Sequence, residues 1–130
     1  MKRLITFLVV ILSITTCWAA SPRLACESLF TEDVYKNPAV NMSIITKRGE
    51  VFRSLTVNGD SKLISRIEAA VDKDKKLSEE VTESYTNGGA IRSVIFTVRK
   101  GNGYNVEIIY SKRGDKKASL AIQGKPNAFE

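Results

Sequence analysis

The sequence predicts an α+β fold: a single antiparallel sheet of about five strands in the order (α)ββαβββ, with a long helical region packed on one face. Three observations lead there. Short segments alternate apolar and polar residues with period two, one long segment repeats apolar residues at helical spacing, and Gly/Asn-rich turns separate them. The chain of 130 residues is the size of one domain.

Residues 24–35 place Leu24, Ala25, Leu29 and Phe30 at roughly helical spacing, which reads as a short N-terminal helix or turn ended by Asn37-Pro38. Residues 39–46 alternate through Val40, Met42 and Ile44, and 51–57 (VFRSLTV) are β-branched and aromatic, with Lys47-Arg48-Gly49-Glu50 as the hairpin turn between them. Asn58-Gly59-Asp60-Ser61 ends that strand and offers Asp60 or Ser61 as a helix N-cap. Leu63, Ile64, Ile67, Ala70, Val71, Leu77, Val81 and Tyr85 then mark one helical stripe, stopped at Asn87-Gly88-Gly89.

A straight helix over that whole stretch would run to about 39 Å at 1.5 Å per residue, whereas a seven-residue strand spans about 23 Å. A bend or break is therefore expected near Asp72-Lys73-Asp74-Lys75-Lys76. Three strands follow. Val94, Phe96 and Val98 share a face in 91–99, and Val106, Ile108 and Tyr110 share one in 104–111. Ala118, Leu120 and Ile122 share one in 118–123. Gly101-Asn102-Gly103 carries the Asn-Gly signal of a type I′ hairpin. The expected division is a signal peptide at 1–20, one domain at 21–124 and a polar tail at 125–130.

The first twenty residues have three parts: Lys2-Arg3, an apolar run from Leu4 to Ile14, and small residues at Cys17, Ala19 and Ala20. That is the pattern of a secretory signal peptide, with an apolar run short of the roughly 20 residues that a membrane anchor needs. It predicts export to a periplasmic or secreted location. A competing reading takes Ile14-Thr15-Thr16-Cys17 as a bacterial lipoprotein cleavage site, although Thr16 stands where Gly, Ala or Ser is usual. Cleavage would remove two of 20 basic residues and none of 14 acidic ones, lowering the formal net charge from +6 to +4. Of two cysteines only Cys26 would remain, so no internal disulfide is expected. Cys26 reads as a buried thiol in an apolar stretch, with an intermolecular disulfide as the alternative.

Composition narrows the chemistry. The chain has no histidine, so it offers no Ser-His-Asp or Cys-His nucleophile and no imidazole metal ligand. Asp72, Asp74, Glu79, Glu80 and Glu83 do not make an EF-hand, because Lys76 and Leu77 occupy the fifth and sixth positions of a loop starting at Asp72. Nor do carboxylates along one helix face form the opposed pair of a glycosidase. No Ser-x-x-Lys spacing occurs after residue 20. The Asn41-Met42-Ser43 sequon lies on an expected strand and reads as chance. A non-enzymatic protein with no cofactor is what these exclusions leave.

Two surfaces remain as candidates. The sheet face opposite the helix would show Phe52, Ile95, Thr97, Ile109 and Ala121 among Ser93, Asn105, Glu107, Ser119 and Gln123. Either the segment around Leu29 and Phe30 covers it, or it is a surface for a protein partner or a homodimer. The second candidate is a set of anion contacts, Arg53, Lys112, Arg113, Lys116 and Lys117, for an anionic glycan or lipid headgroup. Turns at opposite ends of a meander divide the positive charge, which argues against nucleic acid. Arg53 falls in register with Val51, Leu55 and Val57 on the expected core face. Three readings stand for it: a register set by Phe52, a snorkelling side chain at the sheet edge, or an ion pair.

Phe52-Arg53-Ser54-Leu55-Thr56-Val57, Ser65-Arg66-Ile67-Glu68-Ala69-Ala70-Val71 and Gly114-Asp115-Lys116-Lys117 resemble small secreted proteins of Bacteroides-type bacteria, a family classed as a domain of unknown function. The resemblance implies a bacterial envelope location and supplies no catalytic residue.

Overall fold

A computed structural model describes residues 23–130; the signal-peptide reading and Cys17 lie outside them. One antiparallel sheet has six strands: β1 (Val40–Lys47), β2 (Glu50–Asn58), β3 (Val81–Thr86), β4 (Ile91–Arg99), β5 (Asn105–Arg113) and β6 (Lys117–Gly124). Their spatial order is β1-β2-β6-β5-β4-β3. A single-turn helix α1 (Glu32–Tyr35) and the long helix α2 (Ser61–Lys75) complete the regular structure, with a 3-10 turn at each end of the described chain and a third at Asn87–Gly89 between β3 and β4.

The sixth strand corrects the expected count of about five. Leu77, Val81 and Tyr85 fit the helical stripe of α2 by spacing alone, yet α2 stops at Lys75 and Val81–Thr86 pairs with β4. The reason is local. In VTESYT, Val81, Thr82, Tyr85 and Thr86 are β-branched or aromatic residues that favour a pleated surface, and the expected break at residues 72–76 is where the helix ends. The same stretch pins the helix terminus: the carboxylate of Asp74 accepts the backbone N–H groups of Ala25 and Cys26 at 2.9 and 2.8 Å. At the other end Asp60 caps α2 by accepting from Leu63 N–H at 3.0 Å and from Asn37 Nδ2 at 2.8 Å. Those hydrogen bonds hold its carboxyl below the usual range.

The core lies between α2 and one sheet face. Leu63, Ile64, Ile67 and Val71 of α2 are buried against Leu55, Val57, Val94, Phe96, Ile108, Tyr110, Leu120 and Ile122. Leu24, Cys26, Leu29 and Val34 fill the same side of the sheet. Cys26 is fully buried, and burial beside Asp74 pushes its thiol pKa far up.

One hairpin turn departs from expectation. The hairpin at 100–104 is not type I′: only Gly103 has positive φ, at 87°. Gly103 N–H bonds to Lys100 O at 2.9 Å and Lys100 N–H to Tyr104 O, a three-residue arrangement closing on a left-handed residue. Asn102 stabilises it by accepting from Tyr104 N–H at 3.1 Å. The β1–β2 turn instead has φ of 53° at Arg48 and 74° at Gly49, the type I′ signature. The closing residues form no loose tail. Pro126–Phe129 is a 3-10 turn, Ala128 is fully buried, and Phe129 packs against the core.

Lys100 fastens both terminal turns. Its ammonium, 2% exposed, donates to Glu27 Oε1 at 2.8 Å and to the carbonyl of Ala128. One buried cation thus ties the N-terminal 3-10 turn, the C-terminal turn and the β4–β5 hairpin together.

Candidate functional site

Alternation along the strands assigns Phe52, Ile95, Thr97, Ile109 and Ala121 to one surface, and register brings them together. Thr82 stands opposite Ile95, Ile95 opposite Ile109, Ile109 opposite Ala121, and Ala121 opposite Ser54. The next row runs Thr97, Glu107, Gln123, Phe52, Ile45. A third row is wholly hydroxyl and amide: Ser84, Ser93, Ser111, Ser119, Thr56, Asn41.

Among the described residues nothing covers this face. Leu29 is buried on the helix side, with Phe30 packed against the same core, so the N-terminal segment does not shield the open face. The Asp74 bonds to Ala25 and Cys26 draw that segment toward the end of α2 instead. Ile95, Ile109 and Ile45 are consequently exposed, at 43%, 37% and 55%.

The three central rows contain one charged residue, Glu107; other charges stand toward the strand ends, among them Arg99, Arg113 and Lys117. Charge depleted at the centre and retained at the rim is the anatomy of protein interfaces. At one corner the face deepens into a groove of about 670 Å³ bordered by Leu77, Ile95, Thr97, Glu79, Glu80 and Arg99. Ile45 belongs to the face as well, a residue that the register of Val40, Met42 and Ile44 would have placed there by alternation.

The candidate anion contacts are spread over both sides of the sheet. Arg53 stands on the helix face between Ile44 and Ile122, its guanidinium 4.6 Å from the centre of the Phe129 ring, a cation–π contact. Leu55 and Val57 are fully buried, so they, and not Phe52, set the register of β2. Lys112 also faces α2, 3.0 Å from Glu68. Arg113 and Lys117 are opposite one another on the open face, and Lys116 sits in the turn between their strands.

A different basic residue organises the helix side. Arg92 lies within 2.8 Å of Glu68, 3.3 Å of Asp72 and 3.2 Å of Glu83, and Lys75 bridges Asp72 and Glu83. Burial works against the Arg92 charge, yet its hydrogen bonds to Asp72 and Glu83 raise its pKa overall. Bonds from Lys75 and Arg92 lower that of Glu83. Tyr110 donates to Glu68 at 3.1 Å, and burial raises its pKa. Among the described residues no group of three or more acidic or thiol side chains forms a metal site, and no helix is long and apolar enough to cross a membrane.

Fold and surface together define an α+β protein built as an open antiparallel sheet, one face of which is bare among the described residues. Residues 13–122 match the model of a family of unknown function (DUF6108), and the chain belongs to that family. No curated protein and no solved structure matches it.

Proposed function

We propose that the protein is a non-enzymatic exported bacterial module, periplasmic or secreted, that acts by docking another protein on the open sheet face. The observation carrying this reading is the charge-poor centre of that face, where Ile95, Ile109 and Phe52 stand in adjacent rows with Glu107 as the one charge and nothing lies over it among the described residues. Six strands at about 4.8 Å spacing by six residues at about 3.3 Å give a face of about 29 by 20 Å. That is on the order of 600 Å², and roughly 1,200 Å² for two partners, the lower bound for a stable interface.

Local charge specifies the partner's chemistry. Glu79 and Glu80 line the groove with Arg99, and Glu107 stands opposite Thr97 beside it, so carboxylates outnumber the one cation there. A partner with an apolar side chain flanked by lysine or arginine would meet Leu77 and Ile95 with the one and the carboxylates with the other. The N-terminal three-part pattern supports export, and the absence of histidine supports a non-catalytic role.

The test is an NMR titration with a peptide alternating leucine and lysine. Shifts at Ile95, Thr97 and Ile109, abolished by Ile109→Asp in a folded protein, are the expected result. Absence of shifts on that face overturns the reading. So do shifts confined to Lys116 and Lys117 when anionic liposomes replace the peptide, which would assign binding to the basic turn.

A further inference from the structure

We propose that the outer side of β1 is a strand-pairing site, and that its occupant is β1 of a second copy of this chain. An edge strand offers a row of unpaired N–H and C=O groups, and proteins guard it with short length, bulges, proline or inward-pointing charge. β3, at the far edge, has two of these protections: it is six residues long and turns Glu83 inward to Arg92 and Lys75. β1 has eight residues, an unbroken register with β2, no proline, and one charge, Lys47, at its end. From Ser43 to Lys47 every residue is exposed. Ile44 on the helix face and Ile45 on the open face are 60% and 55% exposed.

The direction of the backbone groups selects the occupant. Asn58 N–H bonds to Ala39 O at 3.0 Å, so odd-numbered residues of β1 point toward β2 and even-numbered ones outward, by the alternation of an antiparallel ladder. Val40 N–H is already bonded to Asn37 O. Met42, Ile44 and Thr46 therefore remain as outward-pointing residues, symmetric about Ile44. Antiparallel pairing of two copies about a two-fold axis through Ile44 places Ile44 against Ile44 and Met42 against Thr46, engaging all three. On the open face Ser43 then meets Ile45, and Lys47 meets Asn41, so no like charges oppose each other.

Such a two-fold axis is perpendicular to the sheet, so both open faces look the same way and join as one twelve-stranded surface. A seven-residue pairing buries less than a standard interface, which makes the dimer concentration-dependent.

Sedimentation velocity of the purified protein over roughly a hundredfold range of concentration tests this. The wild-type mass should rise from one copy to two. Ile44→Lys would bring two ammonium groups together on the axis, and Thr46→Pro would remove an outward N–H that has no partner among the described residues, a position an edge strand tolerates. Each should move the dimer midpoint upward by at least about tenfold. Residues facing each other in a hydrogen-bonded pair have Cα atoms about 5.5 Å apart, within disulfide reach. Mild oxidation should therefore cross-link Ile44→Cys and leave Thr46→Cys unlinked.

A wild type that stays monomeric throughout overturns the proposal, as does a dimer that survives Ile44→Lys. Cross-linking of Thr46→Cys but not Ile44→Cys also overturns it. A dimer lost in Ile109→Asp and kept in Ile44→Lys assigns self-association to the open face, so failure here is distinct from failure of the docking reading.

Discussion

The two edges of the sheet end in opposite ways. β3 is locked to α2: Glu83 projects onto the helix face, where Arg92 and Lys75 hold it and Glu68 and Asp72 complete the network. β1 has no comparable brace. Only Val40 is buried and Met42 half-buried, both on the helix face near α1, and Ser43–Lys47 is bare on both faces. What separates them is the placement of charge, since both are β-branched strands paired on one side only. An inward carboxylate beside an arginine closes an edge, and paired isoleucines leave one open.

The largest disturbance should come from neither edge but from the clasp that covers the strands between them. Lys100→Met strands Glu27 and the Ala128 carbonyl without their buried cation, and removing one partner of a buried pair costs about 3–5 kcal/mol. Chemical denaturation should show that loss, with Pro126–Phe129 loosened from Arg53. If the midpoint hardly moves, the terminal turns are dispensable cover.

Next in size is the braced edge. Glu83→Lys opposes Arg92 and Lys75 with a like charge; with the network part exposed, the cost should be about 1–2 kcal/mol. The matching change on the bare edge, Ile44→Lys, should leave folding of a single copy within about 0.5 kcal/mol. Equal costs at the two positions would erase the contrast.

Acid should separate the edges without mutation. The folded-state pKa of Glu83 is depressed by Lys75 and Arg92, so its contribution is present above the unfolded value of about 4.3. It is lost as pH falls through the lower folded value. Asp60, depressed by Leu63 N–H and Asn37, follows the same sign at the start of α2. Amide exchange in β3 should therefore speed up, beyond its intrinsic pH dependence, as pH falls through the acid range. Exchange in the Ser43–Lys47 half of β1 should show no such excess.

Much of this arrangement was legible in the residues themselves. Period-two alternation placed Phe52, Ile95, Thr97, Ile109 and Ala121 on one face, and Asp60 or Ser61 marked the start of α2, with Asp60 the cap in the structure. The strand at 81–86 was hidden because Leu77, Val81 and Tyr85 also sit at helical spacing; the β-branched content of VTESYT was the signal that separates the two. Alternation left Arg53 open between the core face and a register set by Phe52, and its Phe129 partner lies on a turn that reads as a polar tail. Asp74 and Lys100 were beyond sequence reading altogether. Their partners are 48, 49 and 73 residues away, and no local pattern encodes a contact at that separation.

Cys26, the single thiol among the described residues, is sealed under the end of α2. Its protonated, inaccessible sulfur makes Cys26 inert to thiol–disulfide exchange while this segment stays packed. In an oxidising compartment the sulfur becomes reactive only in copies whose N-terminal segment has lifted away from Asp74. The thiol is thus a built-in gauge of local opening: the rate at which a maleimide or mixed-disulfide reagent captures Cys26 counts how often the segment around it releases the end of α2.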